Sequence, residues 1–212
     1  MIGQVLFNSI TLGLIYVLVA CGFTLVFGVT RVINFAHGEL YMLGGMITYV
    51  LYSLLELNFA LAFIGAALTS ALVGVAMERF ILRRGRASGE HINVLVLTIG
   101  VQLIIMTAVL GIFGPRDKPI PSLVPGVLRV GSVSMPLERL AVVIVSIVIM
   151  VGLYYLLRRT KQGQALRAIA QDEAASVLQG IKVNSMYLLS MAIGCGLAGA
   201  AGALIAPVLT TN

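Results

Sequence analysis

Long apolar runs without charge alternate with short polar segments along the whole chain. A helix needs about 20 apolar residues to cross a bilayer, and runs near that length are typical of membrane-spanning helices. Six such runs are visible, at residues 2–29, 40–55, 57–77, 92–114, 140–157 and 183–209. The pattern predicts an all-α fold, a polytopic transmembrane helix bundle that occupies residues 1–212 as a single domain. Residues 56–58 alone separate the second and third runs, so we expect a tight hairpin or a shorter re-entrant pair there.

The composition agrees with a membrane protein. Hydrophobic residues make up 59% of the chain and charged residues 10%, whereas about a quarter of a soluble domain is charged. The net charge of +6 sits mostly in short loops beside the apolar runs, and aromatic residues do not interleave with it. Orientation in the membrane therefore explains the charge better than nucleic-acid binding. The first run lacks a basic segment before it and is too long for a signal-peptide core, so we expect it to remain as a span.

The basic residues divide unevenly between the two sides of the predicted bundle. If the spans alternate in direction, ten fall on one side: Arg31, Arg79, Arg83, Arg84, Arg86, Arg158, Arg159, Lys161, Arg167 and Lys182. Four fall on the other side: Arg116, Lys118, Arg129 and Arg139. Cytosolic loops are enriched in Lys and Arg, so we expect the ten in the cytosol and the N-terminus outside.

A polar stretch at residues 31–45 interrupts the apolar pattern between the first two runs. Its polar residues include Arg31, Asn34, His37 and Glu39. In one interpretation the stretch is a cytosolic turn, with Glu39 near the positive end of the next helix. In the other, it is a broken helix whose unwound backbone lines a substrate path, with Gly38 relieving the strain, since irregular backbone at membrane depth persists only beside a cavity or other protein.

A second polar segment, residues 158–182, is too polar to cross a membrane. Its apolar residues recur at spacings of three and four: Leu166, Ile169, Ala170, Ala174, Val177, Leu178 and Ile181. This spacing predicts an amphipathic helix, or two short helices divided near Asp172, whose side chain would cap the second. Gly180 suits the C-terminal stop. Such a segment can lie on the lipid interface, pack beneath the bundle or face a partner.

The other polar loops and the small residues are expected to shape the bundle. Five of the six prolines fall in an outer loop at residues 115–138, which predicts a turn-rich cap with a short extended pair near residues 128–133. Small residues at four-residue spacing in the last run predict close helix packing, and Gly44 and Gly45 are expected to act likewise. The first row is Gly194, Ala198 and Gly202, and the second is Gly196 and Ala200.

Motifs for catalysis and for metal binding are missing from the sequence. A phosphate-binding loop of the form Gly-x-x-x-x-Gly-Lys-Ser/Thr, a Gly-x-Ser-x-Gly elbow and a His-Glu-x-x-His zinc site do not occur. Cys21 and Cys195 lie inside apolar runs and are expected to be packing thiols. We therefore expect a protein that is not an enzyme, with no catalytic residues, no metal site and no cofactor.

Residues 32–44, Val-Ile-Asn-Phe-Ala-His-Gly-Glu-Leu-Tyr-Met-Leu-Gly, resemble the signature of permease subunits of branched-chain amino acid ABC importers. The resemblance extends through residues 13–16, residues 22–28 and the 158–182 segment. It implies a multi-pass protein of the cell inner membrane that works by alternating access. A separate ATPase would drive the change between the two conformations. The implied partners are ATP-binding subunits, a second permease subunit, an external substrate-binding protein and the lipid bilayer, with no nucleic acid.

The resemblance also implies two sets of functional residues. The substrate path is expected at Asn34, His37, Gly38 and Glu39. The 158–182 segment is expected to couple the ATPase to the bundle, through Gly163, Arg167, Ala168, Asp172 and Gly180. Chains of this family continue through further glycine-rich spans, so we expect this chain to lack the C-terminal spans of the family.

Three other functions stay open at this stage. In the first, the chain is also an ABC importer permease, but its substrate is urea or a short amide. A passive pore would use His37 and Glu39 as a hydrophilic constriction. A membrane anchor without transport would not depend on Asn34 or His37.

Overall fold

The computed structural model describes residues 2–87, 91–116, 118, 120–121, 126–130 and 133–210. Those residues form α-helices α1 (Ile2–Thr30), α2 (His37–Thr48), α3 (Phe59–Met77), α4 (Arg83–Ala87), α5 (His91–Phe113), α6 (Leu137–Arg159), α7 (Lys161–Gln171), α8 (Glu173–Leu178) and α9 (Val183–Thr210). Two π-helical segments, Tyr49–Leu54 and Glu78–Leu82, continue α2 and α3. The predicted all-α bundle is confirmed, and its segments begin and end close to the predicted runs.

Five helices of the described residues are long and apolar enough to cross a membrane. They are α1, the continuous helix Phe59–Arg86, the stretch Asn93–Phe113 of α5, α6 and α9. The second predicted run differs from the expectation of a sixth span. There α2 has 12 residues and its π-helical continuation has 6, which together form a shorter helix. The tight connection to α3 is present, with Glu56 at φ 51° and Asn58 capping α3 through the Ala60 amide.

Helix α9 lies at the centre of the bundle. In its most apolar stretch 72% of the residues are buried, compared with 11% to 28% in the other four spans. Large apolar side chains of α5 and α6, among them Ile104, Ile112 and Val148, are instead exposed on the outside. A surface of this kind matches lipid, so α5 and α6 form the periphery around α9.

Close backbone contact between α2 and α9 holds the short helix in place. A Cβ atom on Gly202 would collide with the Tyr41 carbonyl oxygen, and one on Gly44 would collide with the backbone of Gly199. The predicted roles of Gly44 and Gly202 in close packing are therefore confirmed. Gly199 also faces Ser70 of α3, a contact that the four-residue spacing did not predict.

The two ends of the bundle carry different structures. At one end the π-helical segment after α3 buries Glu78, 2% exposed, in an ion pair with Arg86. At the other end strands β1 (Val127–Val130) and β2 (Val133–Pro136) pair antiparallel, with Val130 opposite Val133. This pair agrees with the extended pair predicted for the outer loop. Pro119 and Pro125 of that loop lie outside the described residues.

The cysteines have the surroundings expected of packing thiols. Cys195 is buried next to Gly74, Cys21 is half-buried, and both are free. Within the described ranges, no three His, Cys, Asp or Glu side chains are placed to hold a metal ion.

Candidate functional site

Residues 31–36, called here the 31–36 segment, connect α1 to α2 without helical structure, and residues 35 and 36 form a turn in which Ala36 has φ −73° and ψ −1°. Val32, Asn34 and Ala36 are buried, whereas the alternating residues are exposed. The chain leaves α1 at Arg31, whose φ is 55°, a left-handed value that is uncommon outside glycine. The prediction that Gly38 relieves the strain of the break is wrong, because Gly38 lies within α2 and the left-handed residue is Arg31.

The 31–36 segment runs back along α1. His37 Nε2 lies 3.3 Å from the Val19 carbonyl oxygen, and its ring packs edge-on against Phe23. Val19 is 11 residues before Thr30, which is about 16 Å along a helix. Helix α2 therefore begins near the middle of α1, which excludes the interpretation of residues 31–45 as a simple turn at the end of two spans.

Side chains supply hydrogen bonds that the non-helical backbone lacks. The Thr98 hydroxyl of α5 accepts from the Phe35 amide at 3.5 Å. It donates to the Leu95 carbonyl oxygen of its own helix at 2.8 Å and lies 3.4 Å from the Ile33 carbonyl oxygen. Asn34 Oδ1 accepts from the Ala36 amide at 3.1 Å, and the Thr30 hydroxyl accepts from the Val32 amide at 3.3 Å. Irregular backbone away from water is tolerated where the surrounding protein bonds it in this way.

An open groove of about 440 Å³, the α1–α2 groove, lies between α1 and the start of α2. Its lining is Tyr16, Val19, Ala20, Phe23, Ile33, Asn34, Phe35, His37 and Gly38. Most of these side chains are apolar. Among the described residues, Asn34 Nδ2 and His37 Nδ1 are buried without a hydrogen-bond partner. Two orphaned polar atoms beside an apolar groove are the arrangement expected of a ligand site.

Gly38 and Glu39 occupy the first turn of α2. The first amides of a helix have no intrahelical acceptor, and the partial positive charge of the dipole lies there. Gly38 is exposed, with no other atom within 4 Å of the position that its Cβ would take. Glu39 is half-buried and does not line the α1–α2 groove. Of the four predicted path residues, three thus meet at the groove and one lies beside it.

The 158–182 segment forms two short helices divided at Asp172, which is the second of the two predicted alternatives. The Thr160 hydroxyl caps α7 by accepting from the Gly163 amide at 3.0 Å, and Asp172 Oδ1 caps α8 by accepting from the Ala175 amide at 3.0 Å. A Cβ atom on Gly163 would collide with the backbone of Leu157 at the end of α6. Gly180 has φ +79° and ends the segment as predicted.

The apolar residues of the 158–182 segment do not all face the bundle. Leu166 and Ile169 of α7 are buried, at 1% and 2% exposure. Val177 and Leu178 of α8 are 55% and 89% exposed, although their spacing matched the buried residues. Arg167 is also exposed, and Ala168 is half-buried. The expected single apolar face is therefore wrong for α8, because α8 turns away at Asp172.

Two polar contacts join the 158–182 segment to the bundle. Arg31 Nη2 donates to the Ala170 carbonyl oxygen of α7 at 2.5 Å. At the start of α8, the Glu173 carboxylate interacts with the Tyr187 hydroxyl of α9. The Arg86 guanidinium lies 4.4 Å from the centre of the Tyr187 ring and pairs with Glu78. The predicted cytosolic residues Arg31, Arg86 and Arg167 thus lie at one end of the bundle.

Sequence reasoning missed the partners of these residues. Thr98 is one threonine within an apolar run, and nothing near it in the sequence indicates its bonds to residues 33 and 35. The contact of Arg31 joins residues 139 positions apart. A local pattern carries no signal for either contact.

Comparison with known proteins places these features in a family. Residues 5–212 match the protein family described as the permease component of the branched-chain amino acid transport system. The high-affinity branched-chain amino acid transport system permease protein BraD of Pseudomonas aeruginosa is 33% identical over 95% of this chain and 70% of its own length. The permease proteins LivH of Escherichia coli K12 and of Salmonella typhimurium, named for the same kind of system, are 33% and 34% identical with the same coverage.

No solved structure matches the chain significantly. The family match covers both the 31–36 segment and the 158–182 segment. The chain belongs to the family of permease components of branched-chain amino acid transport systems.

Proposed function

We propose that this chain is the membrane-spanning permease subunit of an ATP-driven importer of branched-chain amino acids, in the cell inner membrane. Its relatives are named as permease proteins of branched-chain amino acid transport systems. Five helices of the described residues are long and apolar enough to cross a membrane. A separate ATPase drives alternating access, and the chain itself performs no catalysis. Residues 1–212 act as one permease domain together with a second permease subunit, and an external binding protein delivers the substrate at the side of the 115–138 loop.

The α1–α2 groove is the proposed substrate path. Its volume of about 440 Å³ is within the range of small-molecule sites, about 300–1,000 Å³. The observation that carries the proposal is the pair of unpartnered buried atoms, Asn34 Nδ2 and His37 Nδ1, at a helix that begins inside the bundle. Apolar neighbours such as Phe23 and Ile33 suit an aliphatic side chain.

The chemistry of the groove suits a zwitterion. The first-turn amides of α2, which include that of Gly38, and the Asn34 amide group are donors for a carboxylate, as half-helix N-termini are in other transporters. Glu39, in the same turn but beside the groove, contributes a negative charge that favours the substrate ammonium group at longer range. His37, held by Val19, adds a ring nitrogen at the groove.

A matched pair of substitutions tests the path. Asn34→Asp keeps the oxygen that bonds the Ala36 amide, removes the Nδ2 donor and adds a negative charge. Asn58→Asp makes the same change at a loop residue whose oxygen also bonds the amide two residues on. In proteoliposomes with the ATPase and binding protein, Asn34→Asp is expected to lower leucine uptake about tenfold or more. Uptake by Asn58→Asp should be unchanged. Equal uptake by both variants would contradict the proposed path.

The cargo is tested by competition. Unlabelled leucine, isoleucine or valine is expected to suppress uptake of labelled leucine, and urea or acetamide is not. Suppression by urea or acetamide instead would assign the chain to the short-amide permeases. Leucine flux without ATP or the ATPase subunit would identify a passive pore.

The 158–182 segment is the proposed docking site for the ATP-binding subunit. The exposed apolar residues Val177 and Leu178, with Arg167 on the preceding helix, fit an amphipathic helix that enters a groove of a partner. Gly163 allows α7 to lie close to the end of α6, Ala168 is half-buried on the same helix, and Gly180 ends the pair of helices. The basic residues at this end support a cytosolic location for it, with the N-terminus of the chain outside.

Replacing Arg167 with alanine tests the docking assignment. Arg167 is exposed, so its replacement is expected to leave the bundle stable while uptake falls relative to ATP hydrolysis. Unchanged uptake, or labelling of a Gln171→Cys variant from the external side alone, would contradict the assignment.

A further inference from the structure

Arg31 lies where the 31–36 segment meets the 158–182 segment. Its guanidinium donates at 2.5 Å to the Ala170 carbonyl oxygen, in the last turn of α7. The last carbonyl groups of a helix lack intrahelical donors, and the helix dipole is negative there. The contact is therefore a charge-assisted hydrogen bond between the start of the unwound segment and the proposed docking helix.

The backbone of Arg31 is held in a conformation that glycine adopts more easily. Its φ is 55°, and its amide donates to the Phe27 carbonyl oxygen at 2.9 Å. A residue with a Cβ atom persists in such a conformation where its surroundings fix it. Here the fixed side chain connects two separate helices, α1 and α7.

A short path leads from Arg31 to the α1–α2 groove. Asn34 follows three residues later, and the two intervening residues are not helical. The Thr98 hydroxyl of α5 accepts from the Phe35 amide at 3.5 Å. Because only Val32 and Ile33 separate Arg31 from Asn34, a displacement of Arg31 reaches Asn34 and the first turn of α2.

The neighbouring helix α8 is attached to the bundle through α9. Glu173 interacts with Tyr187 of α9, and Arg86 stacks on the Tyr187 ring while pairing with the buried Glu78. Helix α9 is the most buried span, so these contacts join α8 to the centre of the bundle. The backbone is extended at Asp172, between the Ala170 contact of α7 and the Glu173 contact of α8.

From this arrangement we propose that Arg31 is a positioning residue that transmits movement of α7 to the α1–α2 groove. Arg31 passes a shift of the C-terminal end of α7, which carries the Ala170 carbonyl group, to the 31–36 segment and so to Asn34 and the N-terminus of α2. The inference rests on the proposed function, because the docking segment and the substrate path that Arg31 connects are both assigned there.

Three substitutions at one position separate the side chain from the backbone. Arg31→Gly relieves the left-handed backbone but removes the guanidinium, Arg31→Ala removes the guanidinium alone, and Arg31→Lys keeps a cationic donor. Arg84→Ala is the control, because Arg84 is an exposed arginine of α4 at the same end of the bundle. The assembled complex in proteoliposomes is assayed for leucine transported per ATP hydrolysed, for co-purification of the ATPase and for thermal unfolding.

The transported leucine per ATP is expected to fall about tenfold in Arg31→Gly and Arg31→Ala. ATPase binding and the unfolding temperature should stay at wild-type values, since Arg31 is exposed. Arg31→Lys should recover most of the coupling, and Arg84→Ala should match the wild type. Normal coupling in Arg31→Gly would overturn the proposal, and so would loss of assembly in both neutral variants, which would make Arg31 a structural residue. Failure of the wild-type complex to import leucine would instead refute the proposed function.

Discussion

The two polar interruptions of this apolar chain fold in opposite ways. In the 31–36 segment alternate residues are buried, and side chains of Thr30, Asn34 and Thr98 accept hydrogen bonds from its backbone amides. In the 158–182 segment residues at helical spacing are buried, and the side chains of Thr160 and Asp172 cap two helices. Polar side chains thus replace missing helical hydrogen bonds in the first case and start new helices in the second.

The difference follows from where each segment lies. The 31–36 segment runs beside α1 with alternate residues buried. Its backbone groups lie away from water, so they need hydrogen-bond partners from the protein. The 158–182 segment lies at one end, where exposed helix faces such as Leu178 are tolerated. The first segment depends on long-range packing, whereas the second depends mainly on local caps. Substitutions that disturb the packing are therefore expected to affect stability more than substitutions that disturb a cap.

The largest effect is expected from Gly202→Leu. A side chain at this position would collide with the Tyr41 carbonyl oxygen and push α2, which carries the first turn of the groove, away from α9. Overpacking of this kind costs about 1–3 kcal/mol or more, so the unfolding temperature in detergent should fall sharply and uptake should be lost. Gly152→Leu is the control, because no atom lies within 4 Å of a Cβ built on Gly152. Equal stability of the two variants would refute the described contact between α2 and α9.

A smaller effect is expected from Thr98→Val. The substitution keeps the shape of the side chain but removes the hydroxyl that accepts from the Phe35 amide and lies beside the Ile33 carbonyl group, at a cost of about 1–3 kcal/mol. Thermal unfolding measures the loss. Thr107→Val on the same helix removes a hydroxyl that bonds the Leu103 carbonyl of its own helix and is exposed, so it should cost much less. If both variants are equally stable, Thr98 does not support the 31–36 segment.

Asp172→Ala should weaken the second segment locally. Loss of the cap at the Ala175 amide costs about 0.5–2 kcal/mol of the stability of α8 and is expected to uncouple ATP hydrolysis from uptake. Hydrogen exchange at residues 173–178 should accelerate while exchange in α9 stays the same. Asp172→Asn retains a capping oxygen and should keep both stability and coupling. An Asp172→Asn variant as uncoupled as Asp172→Ala would show that the charge is needed rather than the cap.

The smallest effect on stability is expected from Leu178→Ser. Leu178 is 89% exposed, so the unfolding temperature of the permease should not change. The affinity for the ATP-binding subunit should fall, since an exposed apolar residue is removed from the proposed docking face. A titration of the purified ATPase measures this. Leu178→Ser binding as tightly as the wild type would exclude this residue from the interface.

Most of the fold was predictable because its signals are local. Run length placed α1, α3, α5, α6 and α9 within a few residues, and residue spacing with Asp172 and Gly180 placed α7, α8 and the break between them. The same method overestimated α2. Residues 40–55 are apolar enough for a span, yet the chain enters this helix from the middle of the bundle, and run length contains no information on entry depth.

The candidate site was predictable in its residues but not in its geometry. Asn34 and His37 stood out as polar residues in an apolar chain, and both line the α1–α2 groove with an unpartnered atom. The strained position was assigned to Gly38 because glycine tolerates left-handed backbone, whereas contacts far away in the sequence hold Arg31 there instead. The direction of Val177 and Leu178 depends on the angle at Asp172, which periodicity does not determine.

Thiol labelling of a Gly38→Cys variant in a Cys21→Ala background tests the central claim most directly. If α2 begins inside the bundle and lines the substrate path, a water-soluble thiol reagent will modify position 38, and leucine with its binding protein will slow the modification. A cysteine at Ile104, on the outer face of α5, should not react with the same reagent. Reaction at position 38 from the cytosolic side alone, at a rate that leucine does not change, would contradict the account.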